Sequence, residues 1–503
     1  MMVNRMNRTS TEFSSVKLGY GASIVALMSR AARPQLATGA LLTAIMLLAG
    51  ICPSHASAQI DLGALQDEAV AWVQQYIRIN TINPPGNETR AVEFFAEIFE
   101  AEGIEYETVE SAPGRGNIWA RIEGGDQPGL VLLHHMDVVP ADERFWSSDP
   151  LSGELRDGYI YGRGALDTKT SGILHLATFL ALHRTGTPLN RDVVFMATAD
   201  EEAGGFFGAG WLVENRRELF NDIGFLLNEG GGGSVVEGKA QFGIEVTQKV
   251  PYWVRLTATG EPGHGSSPLV SYASLEMIEA LDRFRRYEFG ARVLPAVDRQ
   301  FKGMAGRHPE PWQSRFQVLA AAIREPGVLL ELQEYAPELH TLVRNTCSIT
   351  RFGGSEKINV VSPEVWAEID CRLLPDQDPE AWLAEVREVL GPNIETEILM
   401  GFSPAVSSID TDLYRTVREV TLETFPDASF VPQVQGGFTD SHFFRDLDIV
   451  SYGYSATATP AEDSGGVHGN DERVTEQNVR RGVEMTLKIL ERFAATRPIM
   501  EDD

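Results

Sequence analysis

The stretch Leu130-Val131-Leu132-Leu133-His134-His135-Met136-Asp137 decides the fold, because four consecutive apolar residues run directly into polar ones. Such a run, with no polar alternation, is typical of a strand that is buried on both faces. Asp192–Ala197 and Ile223–Leu227 are runs of the same kind, and apolar residues recur at helical spacing in Leu62–Ile79 and Arg90–Ile104. This pattern predicts an α/β fold, in which helices cover both faces of a mostly parallel sheet.

The composition is that of a large globular protein with a strong negative charge. A chain of 503 residues is long enough for more than one domain. Hydrophobic residues make up 43% and charged residues 23%, which excludes a disordered or fibrous chain. The net charge of -28 opposes binding to phosphate backbones, so we expect no nucleic-acid partner.

Residues 1–58 differ in character from the rest of the chain. The apolar run Leu36–Ile51 follows two arginines, and Ala56-Ser57-Ala58 supplies the small residues at which signal peptidase cuts. We therefore expect a cleavable signal peptide, a periplasmic or secreted enzyme, and no stable membrane insertion after cleavage. A retained membrane anchor and a lipid anchor at Cys52 are the alternatives, and Met28 is an alternative start of the chain.

The remaining sequence divides into a discontinuous catalytic domain and an inserted module. We assign residues 59–249 and 402–503 to the catalytic domain and residues 250–401 to an α+β insertion. The insertion is predicted to contain strands at Tyr252–Ala258, Thr346–Thr350, Val365–Leu373 and Glu395–Leu399 and helices at Ser274–Arg286 and Asp378–Leu390. After the insertion, Leu413–Thr424 and Glu476–Phe493 return to helical spacing.

Histidines and carboxylates occur in five separate segments, several of them directly after predicted strands. The segments contain His135, Asp167, Asp200-Glu201-Glu202, Glu229 and His468. Any one of them alone would be ordinary, as a hydrogen-bonded histidine, a helix cap at Asp167 or a solvated acidic loop. Because ligands in parallel sheets bind at the carboxyl ends of the strands, we expect these side chains to meet.

The chemistry of these candidates points to a metal centre. Two imidazoles and three carboxylates suit Zn2+, or less selectively Co2+ or Mn2+. Five ligands exceed the four of one tetrahedral ion, so two ions that share a carboxylate are expected. Two such ions leave room for a water whose pKa they lower, which predicts a hydrolase.

Taken together, the motifs resemble those of the M20 family of co-catalytic zinc peptidases. The family pattern is His-x-Asp, Gly-Arg-Gly-x-x-Asp-x-Lys, Asp-Glu-Glu and a late histidine, and it is matched at residues 135–137, 162–169, 200–202 and 468. The resemblance covers nearly the whole chain after residue 58. It implies a zinc exopeptidase fold with an inserted α+β lid and dimerisation domain.

The resemblance also implies a role for each matched residue. One zinc is assigned to His135, Glu229 and bridging Asp167, and the other to Glu202, His468 and the same Asp167. Asp137 is expected to orient the His135 imidazole. Glu201 is expected to be the general base. The peptide bond between Asp167 and Thr168 is expected to be cis.

Three residues of the inserted module are implied in substrate binding by the same resemblance. His264 is expected to polarise the scissile carbonyl, either in a homodimer from the partner subunit or after a hinge closes within one chain. Asn359 and Arg372 match positions that hold the carboxylate of the substrate.

Two positions bear on the substrate. At Glu229 the Glu-Gly-Gly form resembles the aminoacylase and carboxypeptidase S branches of the family. The loop Gly436–His442 resembles the family segment Gly-Gly-Thr-Asp-Ser-Arg, but Phe438 is inserted and His442 stands where arginine is common.

Two cysteines of the inserted module, Cys347 and Cys371, lie in segments that could be neighbouring strands. A disulfide and two buried free thiols are both compatible with the sequence.

The sequence therefore predicts an enzyme that cleaves an amide bond beside a free carboxylate. We expect a carboxypeptidase or dipeptidase that acts on small peptides, with a deacylase of N-acyl amino acids as the alternative. An inactive binding module on the same fold is the alternative from another class. An inactive module would lack a metal ligand or the general base, and the sequence contains all of these residues.

Overall fold

The computed structural model describes residues 59–236 and 238–496. The predictions on residues 1–58 lie outside this part of the chain. None of the helices in the described ranges combines the length and apolar composition required to cross a membrane.

Helices and strands are mixed along the chain, and they alternate less regularly than the sequence predicts. The helices are α1 Leu62–Ile77, α2 Thr89–Glu102, α3 Lys169–Thr185, α4 Ala209–Asn215, α5 Ala273–Arg286, α6 Pro295–Met304, α7 Trp312–Gln317, α8 Leu319–Ala322, α9 Val328–Tyr335, α10 Pro337–Thr341, α11 Pro379–Leu390, α12 Asp412–Thr424, α13 Ser441–Arg445 and α14 Glu476–Ala494. The strands are β1 Tyr106–Ala112, β2 Arg115–Ile122, β3 Gln127–His135, β4 Glu154–Arg156, β5 Tyr159–Tyr161, β6 Arg191–Thr198, β7 Ile223–Asn228, β8 Gly232–Val236, β9 Lys239–Gln248, β10 Val250–Thr259, β11 Gly263–His264, β12 Thr346–Gly353, β13 Val360–Val361, β14 Glu364–Leu373, β15 Ile394–Gly401, β16 Ser429–Gln435, β17 Val450–Gly453, β18 Ala458–Pro460 and β19 Arg473–Thr475.

The large sheet has ten strands, in the order β1-β2-β6-β3-β7-β17-β9-β8-β18, and β16 pairs with β9. Its centre is parallel, because β6, β3, β7 and β17 all run in the same direction. The pairs β1–β2, β2–β6, β17–β9 and β8–β9 are antiparallel. The predicted mostly parallel sheet is confirmed, and the three predicted strands β3, β6 and β7 are neighbours.

Strand β3 shows why a run of apolar residues was needed at this position. Leu130 and Leu132 pack into the core beneath α1, α3 and α14, whereas Val131 and Leu133 pack into a second core on the opposite face of the sheet. Successive side chains of a strand point to opposite faces, so both faces of β3 are buried. Each fully buried leucine of this kind contributes about 1.5–3 kcal/mol.

Residues 250–401 contain a second sheet of four antiparallel strands, in the order β12-β14-β10-β15. The four strands and two helices predicted here are confirmed as β10, β12, β14, β15, α5 and α11. Asp378 caps α11 by accepting hydrogen bonds from two backbone N–H groups. Cys347 and Cys371 are paired across β12 and β14 and form a disulfide, which decides between the two alternatives left open by the sequence.

Five short helices, α6–α10, were not predicted. We call residues 295–341, which contain them, the helical bridge. The bridge has its own apolar core, and this core includes Val434 from β16 of the large sheet. Gly303 of α6 approaches β16 so closely that an added Cβ would lie 2.1 Å from Val431 Cγ1. The bridge therefore connects the inserted segment to the large sheet by direct packing.

Candidate metal centre

The site begins at the carboxyl end of β3, where His135 and His134 point in opposite directions. His135 Nε2 lies 3.2 Å from Asp167 Oδ1 and 3.4 Å from Glu229 Oε2. His134 is turned into the core instead, where its Nε2 lies 3.3 Å from the Tyr76 hydroxyl. The alternation of a strand thus presents one of two consecutive histidines to the site.

Asp167 lies between two imidazoles. Its second oxygen, Oδ2, is 3.1 Å from His468 Nε2, and the same nitrogen is 3.2 Å from Glu202 Oε2. Within the described residues, His135, Asp167 and Glu229 form one group of potential metal ligands, and Asp167, Glu202 and His468 form another. The structure therefore brings all five candidate ligands together around a shared carboxylate. The Asp167–Thr168 peptide bond is cis.

The loops that carry Asp167 and His468 are joined by a buried ion pair. Glu472 accepts a hydrogen bond from Arg163 Nη1 at 2.7 Å, and it also accepts from the backbone N–H groups of Leu166 at 2.7 Å and Asp167 at 3.1 Å. Arg163 Nη2 in turn donates to the Gly469 carbonyl at 2.7 Å. Glu472 thus fixes the backbone at Asp167, and Arg163 fixes the backbone beside His468.

Asp137 positions the acidic turn that follows β6. Its Oδ1 accepts from the backbone N–H of Glu201 and its Oδ2 from that of Glu202, each at 3.1 Å, and Asn83 donates to Oδ2 at 2.7 Å. Asp137 Oδ1 also lies 3.5 Å from His135 Nδ1. One buried carboxylate therefore orients both an imidazole and the turn that carries Glu201 and Glu202.

The first acidic residue of that turn, Asp200, has a structural partner of its own. It is buried and forms a close ion pair with Arg115, which also lies 3.3 Å from Glu88. Its φ of 72° places it in the left-handed region, where a backbone can turn sharply. The three acidic residues are thus not a solvated loop. Asp200 anchors the turn, and the next two residues face the site.

The electrostatics of the cluster are those of a cation site. Burial and the charge of Glu229 raise the pKa of Glu201 well above its ordinary value, and burial raises the pKa of Glu229 to about 7. Hydrogen bonds to Asp167 and Glu202 raise the pKa of His468 to about 10. Burial alone would raise the pKa of Asp167, but the two imidazoles lower it below its ordinary value. A bound cation would relieve the repulsion among these carboxylates.

The donor set fits divalent metal ions. Each group offers one imidazole nitrogen and two carboxylates, which are the ligand types that zinc accepts. Ligand atoms bound at about 2.0–2.2 Å to one ion lie no more than about 4 Å apart. The separations of 3.1–3.4 Å on both sides of Asp167 satisfy this condition.

The predicted substrate-binding residues lie elsewhere, in the inserted module. His264 is exposed on the short strand β11, and Gly265 beside it donates to the Asn359 carbonyl at 2.9 Å, so His264 and Asn359 are neighbours. Arg372 lies on β14, where it forks onto Asp370 at 2.8 and 3.1 Å. Among the described residues, no hydrogen bond or ion pair joins these three side chains to the five candidate ligands.

Sequence reasoning missed several residues that hold the site. Glu472 and Arg163 lie 309 positions apart, so no local pattern marks them as partners. Asp440 was also missed. Its side chain is buried and accepts a hydrogen bond from the Thr198 hydroxyl at 3.1 Å. Burial, together with neighbouring charges such as that of Glu229, raises the pKa of Asp440 well above its ordinary value. Asp440 is therefore electrostatically coupled to the candidate site.

This fold and site define a metal-dependent hydrolase, and the sequence comparison names the family. Residues 131–492 match the family described as Peptidase family M20/M25/M40. The chain therefore belongs to this family of hydrolytic enzymes.

The relatives of the chain include acyl-amino-acid hydrolases. The N-fatty-acyl-amino acid synthase/hydrolase of Xenopus tropicalis is 28% identical over 85% of this chain and 84% of its own length. Human aminoacylase-1 is 26% identical over 86% of this chain and 97% of its own length.

Solved structures share the fold at lower identity. The M20 family metallo-carboxypeptidase of Sulfolobus solfataricus has a TM-score of 0.64 at 18% identity and covers 85% of this chain and 99% of its own. Human carnosine dipeptidase 1 has a TM-score of 0.58 at 16% identity and covers 85% and 97%. These similarities establish the fold alone.

Proposed function

We propose that this chain is a two-zinc amide hydrolase that cleaves N-acyl amino acids into a free amino acid and a carboxylic acid. The observation that carries the proposal is the pair of three-ligand groups that share Asp167, with Glu201 adjacent to the ligand Glu202. When bound, the metal ions would supply a water of lowered pKa and polarise the scissile carbonyl.

The residues of the chain then have separate tasks. The Glu201 carboxylate takes a proton from the attacking water and transfers it to the nitrogen of the breaking C–N bond. Asp137 holds Glu201 in place through the backbone of the turn. His264 donates a hydrogen bond to the developing oxyanion. Asn359 and Arg372 receive the carboxylate of the amino acid.

The acyl substrate class is favoured by the relatives. The Xenopus and human proteins named above match this chain over nearly its whole described length, and their names refer to acyl amino acids. A carboxypeptidase or dipeptidase is the second candidate. The Asn359 and Arg372 positions suit it equally well, because a peptide presents the same carboxylate beside its amide.

A hydrolysis screen tests the proposal. Zinc-loaded protein is given N-acetyl, N-benzoyl and N-dodecanoyl derivatives of one amino acid and, in parallel, dipeptides with the same C-terminal residue. Release of free amine is measured together with metal content. Hydrolysis of the acyl series at higher kcat/KM than the dipeptides is expected. The reverse order would assign a peptidase, and no turnover at full metal occupancy would contradict both.

We also propose that residues 1–58 are removed as a signal peptide, which would place the enzyme in the periplasm or outside the cell. N-terminal sequencing of the exported protein should begin at Gln59. A mature protein that keeps the residues before Gln59 would contradict cleavage.

A further inference from the structure

A partly exposed aromatic cluster lies beside the turn that carries Glu201. Phe206 is 49% exposed, and its ring packs against Phe402 and Phe443 at centroid distances of 5.9 and 6.4 Å. Phe402 also contacts Phe438 at 5.7 Å and His442 at 3.7 Å. We call these five residues the aromatic cluster. Phe206 comes from the turn after the base, Phe402 directly follows β15, Phe438 lies in the loop before α13, and His442 and Phe443 lie on α13 itself.

The cluster is held close to the base by a tight turn. The backbone N–H of Gly204 donates to the Glu201 carbonyl at 2.8 Å, and that of Gly205 donates to the Asp200 carbonyl at 2.7 Å. Consecutive Cα atoms are about 3.8 Å apart, so Phe206 is only one residue outward from this turn. A side chain at Gly437 would meet no atom within 4 Å, which leaves open space next to Phe438.

The backbone that carries Phe206 is fixed on its far side. The N–H of Phe207 donates to Asp200 Oδ2 at 3.0 Å, and the Phe207 carbonyl accepts from Asn117 Nδ2 at 3.0 Å. The exposed ring of Phe206 is therefore presented on a preorganised backbone, which lowers the entropy lost when a ligand binds to it.

The cluster contains no cation that could receive a carboxylate. His442, which stands where arginine is common, is stacked on Phe402, and burial lowers its pKa to about 3. The nearby Arg445 is buried, and its Nη2 donates to both carboxylate oxygens of Glu245 at 2.8 and 2.7 Å. Both departures of this loop from the family pattern thus belong to one uncharged aromatic cluster, in which Phe438 is partly exposed and His442 is buried. Exposed apolar surfaces of this kind mark binding sites for apolar groups.

We infer that the aromatic cluster binds the acyl end of the substrate and selects long aliphatic or aromatic acyl groups over acetyl. The inference rests on the proposed deacylase function. Of the two ends of an N-acyl amino acid, the amino acid carries a carboxylate that needs a cation, whereas the acyl end is uncharged. An uncharged aromatic surface beside the base therefore complements the acyl end.

The test compares N-dodecanoyl-phenylalanine with N-acetyl-phenylalanine. The quantity measured is the ratio of their kcat/KM values in the wild type, in Phe206→Ser and in Phe438→Ser. An apolar pocket discriminates by about 10 to 200-fold, so both variants should lower the dodecanoyl-to-acetyl ratio within this range. Phe206→Leu should restore most of it. The matched control is Phe145→Ser, which changes a phenylalanine that is 63% exposed and lies outside the cluster.

The outcomes are separable from failure of the proposed function. If no N-acyl substrate is cleaved but dipeptides are, N-dodecanoyl-phenylalanine is used as an inhibitor of dipeptide cleavage, and weaker inhibition of both serine variants would support acyl binding. Equal ratios or equal inhibition in the wild type and both variants would overturn the inference. A change of oligomeric state on size-exclusion chromatography without a change of ratio would also overturn it, because the cluster would then be a subunit contact.

Discussion

Glu201 and Glu202 are consecutive residues with different proposed tasks. Glu202 lies 3.2 Å from His468 within a ligand group, whereas Glu201 is buried and is not a member of either group. Asp137 holds the backbone N–H groups of both. The shared support means that substitution of either side chain leaves the turn in place, so their functions can be separated.

Glu201→Gln should retain its metal and lose most of its activity. The amide preserves the shape of the carboxylate but does not accept the proton of the water, and general-base catalysis contributes about 100 to 10,000-fold. Metal content by mass spectrometry and kcat are measured together. Glu202→Gln is the matched comparison and should lose metal as well as activity. A Glu201→Gln enzyme with near-wild-type kcat would show that Glu201 is not the base.

Glu472→Gln should weaken metal binding although Glu472 is not a proposed ligand. The carboxylate accepts four hydrogen bonds from Arg163 and the loop that carries Asp167, and an amide has only one oxygen to offer them. Loss of such support lowers metal affinity by about 10 to 100-fold. Zinc titration measures the effect, with Glu476→Gln as the control. Unchanged affinity would exclude a positioning role.

The five candidate ligands could be predicted from the sequence because each follows a recognisable strand or belongs to a recognisable motif. Glu472 and Asp440 could not, because their roles depend on partners that are brought near by the fold. The ion pair of Asp200 could not be predicted either, because a run of three acidic residues does not indicate that a distant arginine, Arg115, neutralises one of them. Local sequence therefore specified the chemistry of the site better than its support.

At the scale of elements, a buried lysine in the link between β9 and β10 holds the end of the helical bridge by a hydrogen bond. Lys249 lies in this link and is fully buried. Its Nζ donates to the carbonyl of Thr341, the last residue of the bridge, at 2.7 Å and to that of Arg344, three residues further on. The sequence did not predict the helices of the bridge because they are short, and the longest, α6, has only ten residues. Short helices show little periodicity.

Lys249 should make stability depend on pH. Burial lowers its pKa to about 7, whereas the unfolded lysine has a pKa of about 10.4. Between these values the unfolded chain binds the extra proton, so raising the pH favours the folded chain. The free energy of unfolding of the wild type minus that of Lys249→Met should rise from pH 7 to about pH 10, by at most about 1.4 kcal/mol per pH unit.

Urea unfolding at three pH values measures this difference. Lys302→Met is the control, because Lys302 is a surface residue paired with Asp298 one helical turn away. The free energy of unfolding of the wild type minus that of Lys302→Met should not rise in this way between pH 7 and about pH 10. A constant difference for Lys249→Met would contradict a buried lysine with a lowered pKa.

At the scale of the whole molecule, His264 has no hydrogen bond or ion pair with the five candidate metal ligands among the described residues, which suggests a composite site. We propose that His264 acts on the site of a partner subunit in a homodimer formed through the inserted module. Mixing His264→Ala protein with Glu201→Gln protein should then restore activity, because one site of each mixed dimer receives both intact residues. Subunit exchange is checked with differently tagged chains. No recovery after confirmed exchange would contradict a histidine supplied by the partner.

The position of β17 has a consequence for biosynthesis. This strand, Val450–Gly453, lies between β7 and β9 in the sheet but is among the last elements to be translated. Until it emerges from the ribosome, one edge of β7 has no hydrogen-bonding partner, and open edges of this kind promote aggregation. His468 is translated later still. A nascent chain that stops before residue 450 therefore lacks both an inner strand of its sheet and one of the five candidate metal ligands.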